Sequence, residues 1–445
     1  MSASAAQLPR ETSTLDVEEL LPQEAPLLRL ATAGSVDDGK STLVGRLLHD
    51  TKSVLADQLD AITRTSRDRG LERVDLSLLT DGLRAEREQG ITIDVAYRYF
   101  STPRRRFVLA DTPGHVQYTR NMVTGASTAQ VAVLLLDARH GVVEQTRRHA
   151  AVSALLGVPH LVLAVNKMDL VDFDEARFRQ LHAEAAQLVE QLGLRADQLT
   201  AVPVCALDGD NVADRSDRMP WYDGPSLLEL LEQLPVADDV AGGAARMPVQ
   251  YVLRDHDTDY RAYAGLVTSG SLAVGEEVVV LPRGQRTRVA GIDTADGPLQ
   301  EVGAGRSVAL RLTDDVDVSR GDLIAAVTGA PEPVQEFSGT VCWLHERPLR
   351  TGDRLLLRHG TRTVRAIVRE VTDRLDVASL EHTGADGQLA LNEIGGVVVR
   401  TAEPLPLDAY RELRPTGAFL LIDPSDGATL GAGMAGAPIP GLRAG

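Results

Sequence analysis

Residues 34–42 have the residue types and spacing of a phosphate-binding loop. They read Gly-Ser-Val-Asp-Asp-Gly-Lys-Ser-Thr, which contains the pattern G-x-x-x-x-G-K-[ST]. Such a loop offers backbone N–H groups and a lysine to the phosphates of a nucleotide. We expect Lys40 to contact the β- and γ-phosphates and the Ser41 hydroxyl to bind Mg²⁺. The whole loop is predicted to contact the nucleotide: Gly34, Ser35, Val36, Asp37, Asp38, Gly39, Lys40, Ser41 and Thr42.

Three shorter motifs follow the loop in the order typical of guanine-nucleotide hydrolases. They are Asp111-Thr-Pro-Gly114, Asn166-Lys-Met-Asp169 and Cys205-Ala-Leu207. In the first, the Asp111 carboxylate is expected to hold Mg²⁺ through water, and the Gly114 N–H to contact the γ-phosphate. Any one motif could arise by chance, but the four together within one stretch predict a GTPase.

The second and third motifs predict recognition of guanine. A carboxylate at Asp169 can accept hydrogen bonds from both the N1–H and the exocyclic amine of guanine, and adenine cannot supply this pair. Asn166 is expected beside it, and Lys167 along the base. In the motif Cys205-Ala206-Leu207, backbone N–H groups could reach the guanine oxygen. Serine is usual at the first of these positions, but recognition through the backbone tolerates Cys205. The predicted ligand is therefore GTP or GDP with Mg²⁺ rather than ATP.

Two further residues are candidates for switching and hydrolysis. Thr92 lies between the phosphate loop and Asp111, where a threonine can bind Mg²⁺ in a segment that orders around the γ-phosphate. The alternative is that Thr92 merely begins a strand over residues 91–100. His115 follows the predicted γ-phosphate contact directly, and we expect it to orient the attacking water. The predicted catalytic residues are His115, Lys40 and Thr92.

The surrounding pattern predicts one α/β domain and two β domains. Residues 1–26 are expected to form a flexible tail. Residues 27–238 alternate apolar strands with helical segments, which predicts a P-loop GTPase domain with a mostly parallel sheet and helices on both faces. Short, glycine-punctuated strands over residues 247–332 and 333–430 predict two small β-barrels. Residues 431–445, rich in Gly, Ala and Pro, are expected to be disordered.

Composition limits the classes of partner. The 445-residue chain has a net charge of −17, which argues against a broad nucleic-acid surface. No apolar run reaches the length of a membrane span, and the first 26 residues lack a signal-type apolar core. Cys205 and Cys342, in different predicted domains, offer no disulfide framework. We expect a cytoplasmic protein without membrane or nucleic-acid partners.

A G domain followed by two barrels, with a histidine directly after the Asp-x-x-Gly motif, resembles the translation-factor GTPases. Ser35 and Asp38 stand where elongation factor Tu has histidines. Residues 81–102, 111–122, 145–149 and 219–225 look like the corresponding blocks of bacterial sulfate adenylyltransferase subunit 1. Val116, where an acidic residue is usual, departs from that pattern.

This resemblance implies a GTPase subunit of assimilatory ATP sulfurylase. GTP hydrolysis would drive ATP and sulfate to adenosine 5′-phosphosulfate and pyrophosphate. The implied partner is subunit 2, which adenylylates sulfate. Some relatives carry a fused adenylylsulfate kinase domain, but this chain has only one phosphate loop and is expected to have none. The alternative function is a translation-factor GTPase that delivers an RNA to the ribosome.

Overall fold

The structure is a computed structural model of the 445-residue chain. It describes residues 26–436 with gaps at 69, 72, 81–94, 113–118, 236–242, 256, 258–259, 377–378 and 380. The side chains of residues 119 and 120 also lie outside the description. Residues 1–25 and 437–445 are not described, so most of the two predicted tails lies outside the description.

The first part of the chain is an α/β unit. Its strands are β1 (Leu27–Ala33), β2 (Ala96–Ser101), β3 (Arg106–Asp111), β4 (Val131–Asp137), β5 (His160–Asn166) and β6 (Leu199–Pro203). Its α-helices are α1 (Lys40–Asp50), α2 (Ala56–Asp68), α3 (Thr119–Ala126), α4 (Glu144–Leu155), α5 (Glu175–Gln191) and α6 (Leu227–Gln233). Short 3₁₀ helices cover Leu76–Leu79, Met168–Val171 and Ala196–Gln198.

One six-stranded sheet organises this unit, in the order β2-β3-β1-β4-β5-β6. Every neighbouring pair is parallel except β2 with β3, which is antiparallel. Strand β4 is buried along its whole length, as expected for a central strand covered on both faces. Its alternate side chains enter two separate hydrophobic clusters, with Val133 and Leu135 in one and Leu134 and Leu136 in the other. The predicted mostly parallel sheet is confirmed.

Two barrels follow the α/β unit. The first contains β7 (Arg246–Asp255), β8 (Tyr260–Leu266), β9 (Ser271–Ala273), β10 (Glu277–Leu281), β11 (Gln285–Thr294), β12 (Gly297–Leu299), β13 (Glu301–Gly303), β14 (Ser307–Leu312) and β15 (Leu323–Ala326). Six of these strands pair in the order β10-β15-β7-β8-β14-β11, and β11 pairs with β10 to close the barrel. Closure leaves no free edge on these strands.

The second barrel is built in the same way. Its elements are β16 (Val334–Trp343), β17 (Leu349–Arg350), β18 (Arg354–His359), β19 (Arg362–Asp376), β20 (Glu381–Thr383), β21 (Gln388–Leu389), β22 (Ile394–Leu405), α7 (Arg414–Gly417), β23 (Ala418–Ile422) and β24 (Thr429–Ala435). The strand order is β18-β23-β24-β16-β22-β19, with β19 pairing back to β18. Trp343 is fully buried inside this barrel.

Strand β24 corrects the expected disorder from residue 431 onwards. Residues 431–435 pair with β16, and residues 431–434 also pair with β23, so the barrel continues beyond residue 430. The glycines serve close packing here rather than disorder. A Cβ at Gly433 would lie 2.1 Å from the Phe419 ring, so this position cannot carry a side chain while the ring stays where it is.

The second barrel is attached to the α/β unit through α7 and the residues before it. The Arg414 guanidinium donates hydrogen bonds to the carbonyl oxygens of Ser127 at 2.9 Å and Gly157 at 3.0 Å. The Tyr410 hydroxyl donates to the Leu156 carbonyl oxygen at 3.0 Å. The two barrels are in turn joined by an ion pair between Arg246 and Asp408 at 3.0 Å. Direct contacts therefore link all three parts of the fold.

Across residues 26–436, with the gaps given above, no α-helix is long and apolar enough to cross a bilayer.

Candidate nucleotide site

The phosphate-binding loop connects β1 to the beginning of α1. Gly39 caps α1 with φ of 91°, a left-handed conformation that glycine adopts without strain. A Cβ at Gly39 would also lie 2.5 Å from Nδ2 of Asn166. The first turn of α1 contains no acidic residue. A helix N-terminus of this kind presents free N–H groups and a positive dipole end to an anion.

The Lys40 side chain lies inside the phosphate loop and bonds to its backbone. Its Nζ donates to the carbonyl oxygens of Gly34 and Ser35, both at 2.9 Å, and the side chain is buried. Burial lowers the pKa of Lys40, although the carboxylates of Asp111 and Asp38 oppose that shift. The ammonium group is thus held by neutral carbonyl oxygens, which a more strongly attracting phosphate could replace.

Asp38 fixes the shape of the loop. Its carboxylate accepts a hydrogen bond from the Ser35 N–H at 2.6 Å, and its carbonyl oxygen accepts one from Asn166 Nδ2 at 2.8 Å. Burial raises the pKa of Asp38, while the Ser35 hydrogen bond and Lys40 act in the opposite direction. Asp38 therefore connects the phosphate loop to the base-recognition motif through Asn166.

Asp111 lies where the sequence predicts, at the end of β3. It is buried beside Thr32 of β1, whose hydroxyl donates to Asp111 Oδ1 at 3.0 Å. Ser41 occupies the second position of the neighbouring helix α1 and is half-buried. A hydroxyl and a carboxylate are both oxygen ligands of the kind that Mg²⁺ prefers, so these residues fit the predicted ion.

Asn166 connects three segments at the end of β5. Its Oδ1 accepts a hydrogen bond from the Ala206 N–H at 3.0 Å, while its Nδ2 bonds to Asp38. The Cys205 thiol donates to Asp169 Oδ1 at 3.2 Å. Burial raises the pKa of the Cys205 thiol to about 12, so it remains a neutral donor. The structure thus brings both base-recognition motifs together.

Asp137 is a site residue that the motif-based interpretation missed. Its Oδ2 lies 3.0 Å from Nζ of Lys167, which also donates to the Asp37 carbonyl oxygen. Burial opposes the charge of Asp137, but hydrogen bonds from Arg139 and Lys167 prevail and hold its pKa well below its usual range. The available signal was its position, because Asp137 ends the apolar strand β4 directly beside Asn166 of β5.

Arg46 is the second missed residue. From helix α1, its guanidinium donates to the carbonyl oxygen of Leu207 at 2.5 Å and to that of Ala206 at 3.3 Å. These bonds hold the third motif against the helix that begins at the phosphate loop. The Leu207 side chain itself is exposed, in line with a backbone role for this motif.

Most predicted site residues therefore converge at the carboxyl ends of β1, β3, β5 and β6. Thr92, Gly114 and His115 lie outside the described residues, so their roles stay predictions. Crevices at the carboxyl ends of such strands are where open α/β sheets bind ligands. The described arrangement offers a phosphate cradle at one end and a carboxylate with a lysine at the other.

Family models match both ends of the chain. Residues 25–237 match the elongation factor Tu GTP binding domain. Residues 336–435 match the GTP-eEF1A C-terminal domain-like family. Guanine-nucleotide binding follows from the first match, and the second covers most of the second barrel.

Curated relatives include the bifunctional enzyme CysN/CysC from two strains of Mycobacterium tuberculosis. This chain is 54% identical to each over 416 residues, covering 92% of this chain and 67% of the relative. These matches overturn the basis for expecting no fused adenylylsulfate kinase domain. These relatives are bifunctional, and a single phosphate loop within the matched part says nothing about what lies beyond it.

Among solved structures, sup35 complexed with GDP matches at 25% identity and a TM-score of 0.42. That alignment covers 96% of this chain and 98% of the sup35 chain. The same protein with GMPPNP matches at 24% identity and a TM-score of 0.43, over 94% and 97% of the two chains. Scores this low add nothing to the assignment.

Proposed function

This chain belongs to the CysN family of GTPases, and we propose that it uses GTP hydrolysis to drive adenosine 5′-phosphosulfate formation from ATP and sulfate. It is the GTP-driven subunit of a sulfate adenylyltransferase, in agreement with the expectation from its sequence. The observation that carries the proposal is the 54% identity to CysN/CysC over nearly the whole chain. The convergence of the nucleotide motifs in the fold supports it.

GTP would bind with its phosphates on residues 34–42 and its base between Asn166, Lys167 and Asp169. Lys40 would exchange its two carbonyl partners for the β- and γ-phosphates. The Gly114 N–H would contact the γ-phosphate, and His115 would orient the water that attacks it. The backbone N–H groups of residues 205–207 would face the guanine oxygen.

Mg²⁺ is part of this proposal. The Ser41 and Thr92 hydroxyls and, through water, the Asp111 carboxylate would hold it. When bound, it would neutralise charge on the β- and γ-phosphates. Thr92 would release its ligand position after hydrolysis, which makes the segment around it the expected switch.

Coupling requires that the GTP and GDP states interact differently with the adenylylating machinery. A ligand shifts a conformational equilibrium only by its differential affinity for the two states. We propose that the adenylylating subunit of the heteromeric enzyme binds the GTP and GDP states with different affinity. The proposed location is the cytoplasm, because GTP and ATP are cytoplasmic metabolites.

The alternative, a translation-factor GTPase that delivers an RNA, has less support. The matched elongation factor Tu and eEF1A family models cover the GTPase domain and the second barrel, but the 54% identity over 92% of the chain is to CysN/CysC. The test is reconstitution of this chain with the adenylylating subunit. We expect GTP hydrolysis to depend on ATP and sulfate, and adenylylsulfate formation to depend on GTP. If the adenylylating subunit's output is the same without this chain or without GTP, the proposal fails.

An Asp169→Asn variant removes doubt about contaminating GTPases. Its carboxamide should prefer xanthine nucleotides, so xanthosine triphosphate should replace GTP in supporting adenylylsulfate formation. The wild-type chain under the same conditions is the matched control. If adenylylsulfate formation with the variant still depends on GTP and not on xanthosine triphosphate, another protein supplies the GTPase activity.

A further inference from the structure

Strands β18, β19 and β22 of the second barrel present a row of arginines to solvent. Side chains alternate between the barrel interior and its outer face along each strand. The outward positions include exposed arginines on all three strands: Arg354, Arg358, Arg365, Arg369 and Arg400. We call this surface the arginine face.

The arginines surround an apolar centre. Arg354 pairs across the sheet with Ile367, and Ile367 pairs with Arg400. In the next row, Arg365 pairs with Leu356. Ile367 and Leu356 are both half-buried and, with Pro424, line a cleft of about 430 Å³ between the arginines. The face thus combines an apolar floor with a positive rim.

The charges of the rim are not neutralised by the fold. Within the part of the chain that the structure describes, the guanidinium groups of Arg354, Arg365 and Arg400 form no hydrogen bond and no ion pair. Glu336 lies across the sheet from Arg400 but beyond ion-pair distance. In a protein of net charge −17, such a cluster attracts an acidic ligand.

The extent of the face favours a polypeptide over a small anion or a nucleic acid. Arg358 and Arg369 continue the positive row beyond the cleft, in each case four residues along the strand from a cleft arginine. A small anion could not reach both. Glu336 and the exposed Glu370 flank the row, so the face lacks the continuous positive track that suits an evenly charged phosphate backbone. An acidic peptide with apolar side chains matches both the rim and the floor.

We propose that residues 1–25 of this same chain bind the arginine face. They contain five acidic residues and one basic residue, a net charge of −4. Their centre reads Leu15-Asp-Val-Glu-Glu-Leu-Leu21, which mixes carboxylates with apolar side chains. The proposal goes beyond the GTPase function and does not depend on it.

The chain enters the structure on the side of the α/β unit to which the second barrel is attached. Arg29, near the start of β1, exchanges hydrogen bonds with Gln130, and Arg414 of α7 bonds to the neighbouring Ala129 carbonyl oxygen at 3.3 Å. His359, the last residue of β18, contacts the Thr416 carbonyl oxygen of α7 at 2.8 Å. A 25-residue extended segment spans up to about 80 Å, more than twice the diameter of a small domain.

Docking there would cover the arginine face and add a tether between the α/β unit and the second barrel. An acidic partner would then have to compete with residues 1–25 for the same arginines. The segment would act as a built-in competitor whose local concentration is high because it is covalently attached.

Cleavage of the full-length chain by a glutamate-specific protease tests the proposal. Residues 1–25 contain Glu11, Glu18, Glu19 and Glu24, and docking protects them. We expect an Arg365→Glu/Arg400→Glu variant to be cleaved in this segment about tenfold faster than wild type, because like charges replace attraction. Arg306→Glu, an exposed arginine on the first barrel, is the matched control and should behave as wild type.

A charge-swap variant makes the test specific. Adding Glu18→Lys/Glu19→Lys to Arg365→Glu/Arg400→Glu should restore slow cleavage at Glu11 and Glu24. All variants should retain the wild-type GTP affinity and circular dichroism spectrum. Equal cleavage of wild type and Arg365→Glu/Arg400→Glu, or failure of the swap to restore protection, overturns the proposal. So does loss of binding to the adenylylating subunit in the arginine variant with cleavage unchanged, because that subunit would then be the occupant.

Discussion

The two ends of the nucleotide site differ in the partners that hold their described side chains. At the base end, each recognition residue has a partner in place. Asn166 bonds to Ala206 and Asp38, Lys167 pairs with Asp137, and Asp169 accepts a hydrogen bond from Cys205. At the phosphate end, among the residues that the structure describes, the Lys40 ammonium bonds only to backbone carbonyl oxygens of its own loop. Thr92, Gly114 and His115, which should complete that end, lie outside the described residues.

This difference suits a molecule that must hold its nucleotide while changing shape. Guanine is common to GTP and GDP, so a rigid base end can supply affinity in both states. The γ-phosphate is the only group that distinguishes them, and its contacts must form and break in each cycle. Substitutions at the base end should therefore change binding, and those at the phosphate end should change turnover.

The largest expected effect is at the base end. Asp169→Asn should weaken GTP binding by about 1,000-fold, because two hydrogen bonds to a charged acceptor are lost. Xanthosine triphosphate should recover much of that affinity. Titration of both nucleotides measures the switch, with the exposed Asp197→Asn as control. An unchanged preference for guanine would refute the role of Asp169 in base recognition.

The second effect should appear only at the phosphate end. His115→Ala should slow GTP hydrolysis by about 100-fold, a typical loss for a residue that positions or activates a reactant. The dissociation constant for GTP should change by less than about threefold, since His115 does not hold the ground-state nucleotide. Single-turnover kinetics and equilibrium titration separate the two quantities, and His182→Ala is the control. A parallel loss of binding would indicate a structural role instead.

Asp137→Asn should weaken GTP and GDP equally, by about tenfold, because Lys167 loses its ion pair without losing its own charge. Hydrolysis of bound GTP should be unchanged. Because the pKa of Asp137 is held well below its ordinary range, its contribution is present at neutral pH and is lost only in strong acid. Nucleotide titrations at neutral and mildly acidic pH test both statements. A selective loss of GTP over GDP would contradict the assignment of Asp137 to the base end.

The smallest effect should come from Cys205. Cys205→Ser keeps a donor to Asp169 and should change GTP affinity by less than about threefold, whereas Cys205→Ala should weaken it by several-fold. Cys342→Ser, in the second barrel, is the control for general effects of thiol removal. If Cys205→Ala binds GTP as wild type does, the thiol does not position Asp169.

The residues predicted from sequence are those whose role is set by local motifs. Lys40, Asp111, Asn166 and Asp169 each follow a strand within a recognisable short pattern. Asp137 and Arg46 belong to no such pattern. Their contacts with the base-recognition motifs, Asp137 with Lys167 and Arg46 with Leu207, join residues that are distant in sequence and meet only in the folded chain. The role in sulfate activation and the partner subunit were predicted from the family resemblance, because no spacing of residues indicates them.

The fold class was predictable because strand periodicity and glycine punctuation change clearly after the α/β unit. The end of the second barrel was not. Strand β24 is rich in glycine, which favours an interpretation as disorder when the neighbouring side chains are unknown. The position of the Phe419 ring explains why glycine is required at residue 433.

The most direct test of the central claim is the extent, rather than the rate, of adenylylsulfate formation. The reconstituted enzyme is allowed to reach a constant ratio of adenylylsulfate and pyrophosphate to ATP and sulfate, first with GDP and then with GTP regenerated. Coupling predicts that GTP raises this ratio well above the value with GDP, and that it falls back when GTP is exhausted. The same ratio with both nucleotides would show that GTP only accelerates the reaction and does not drive it.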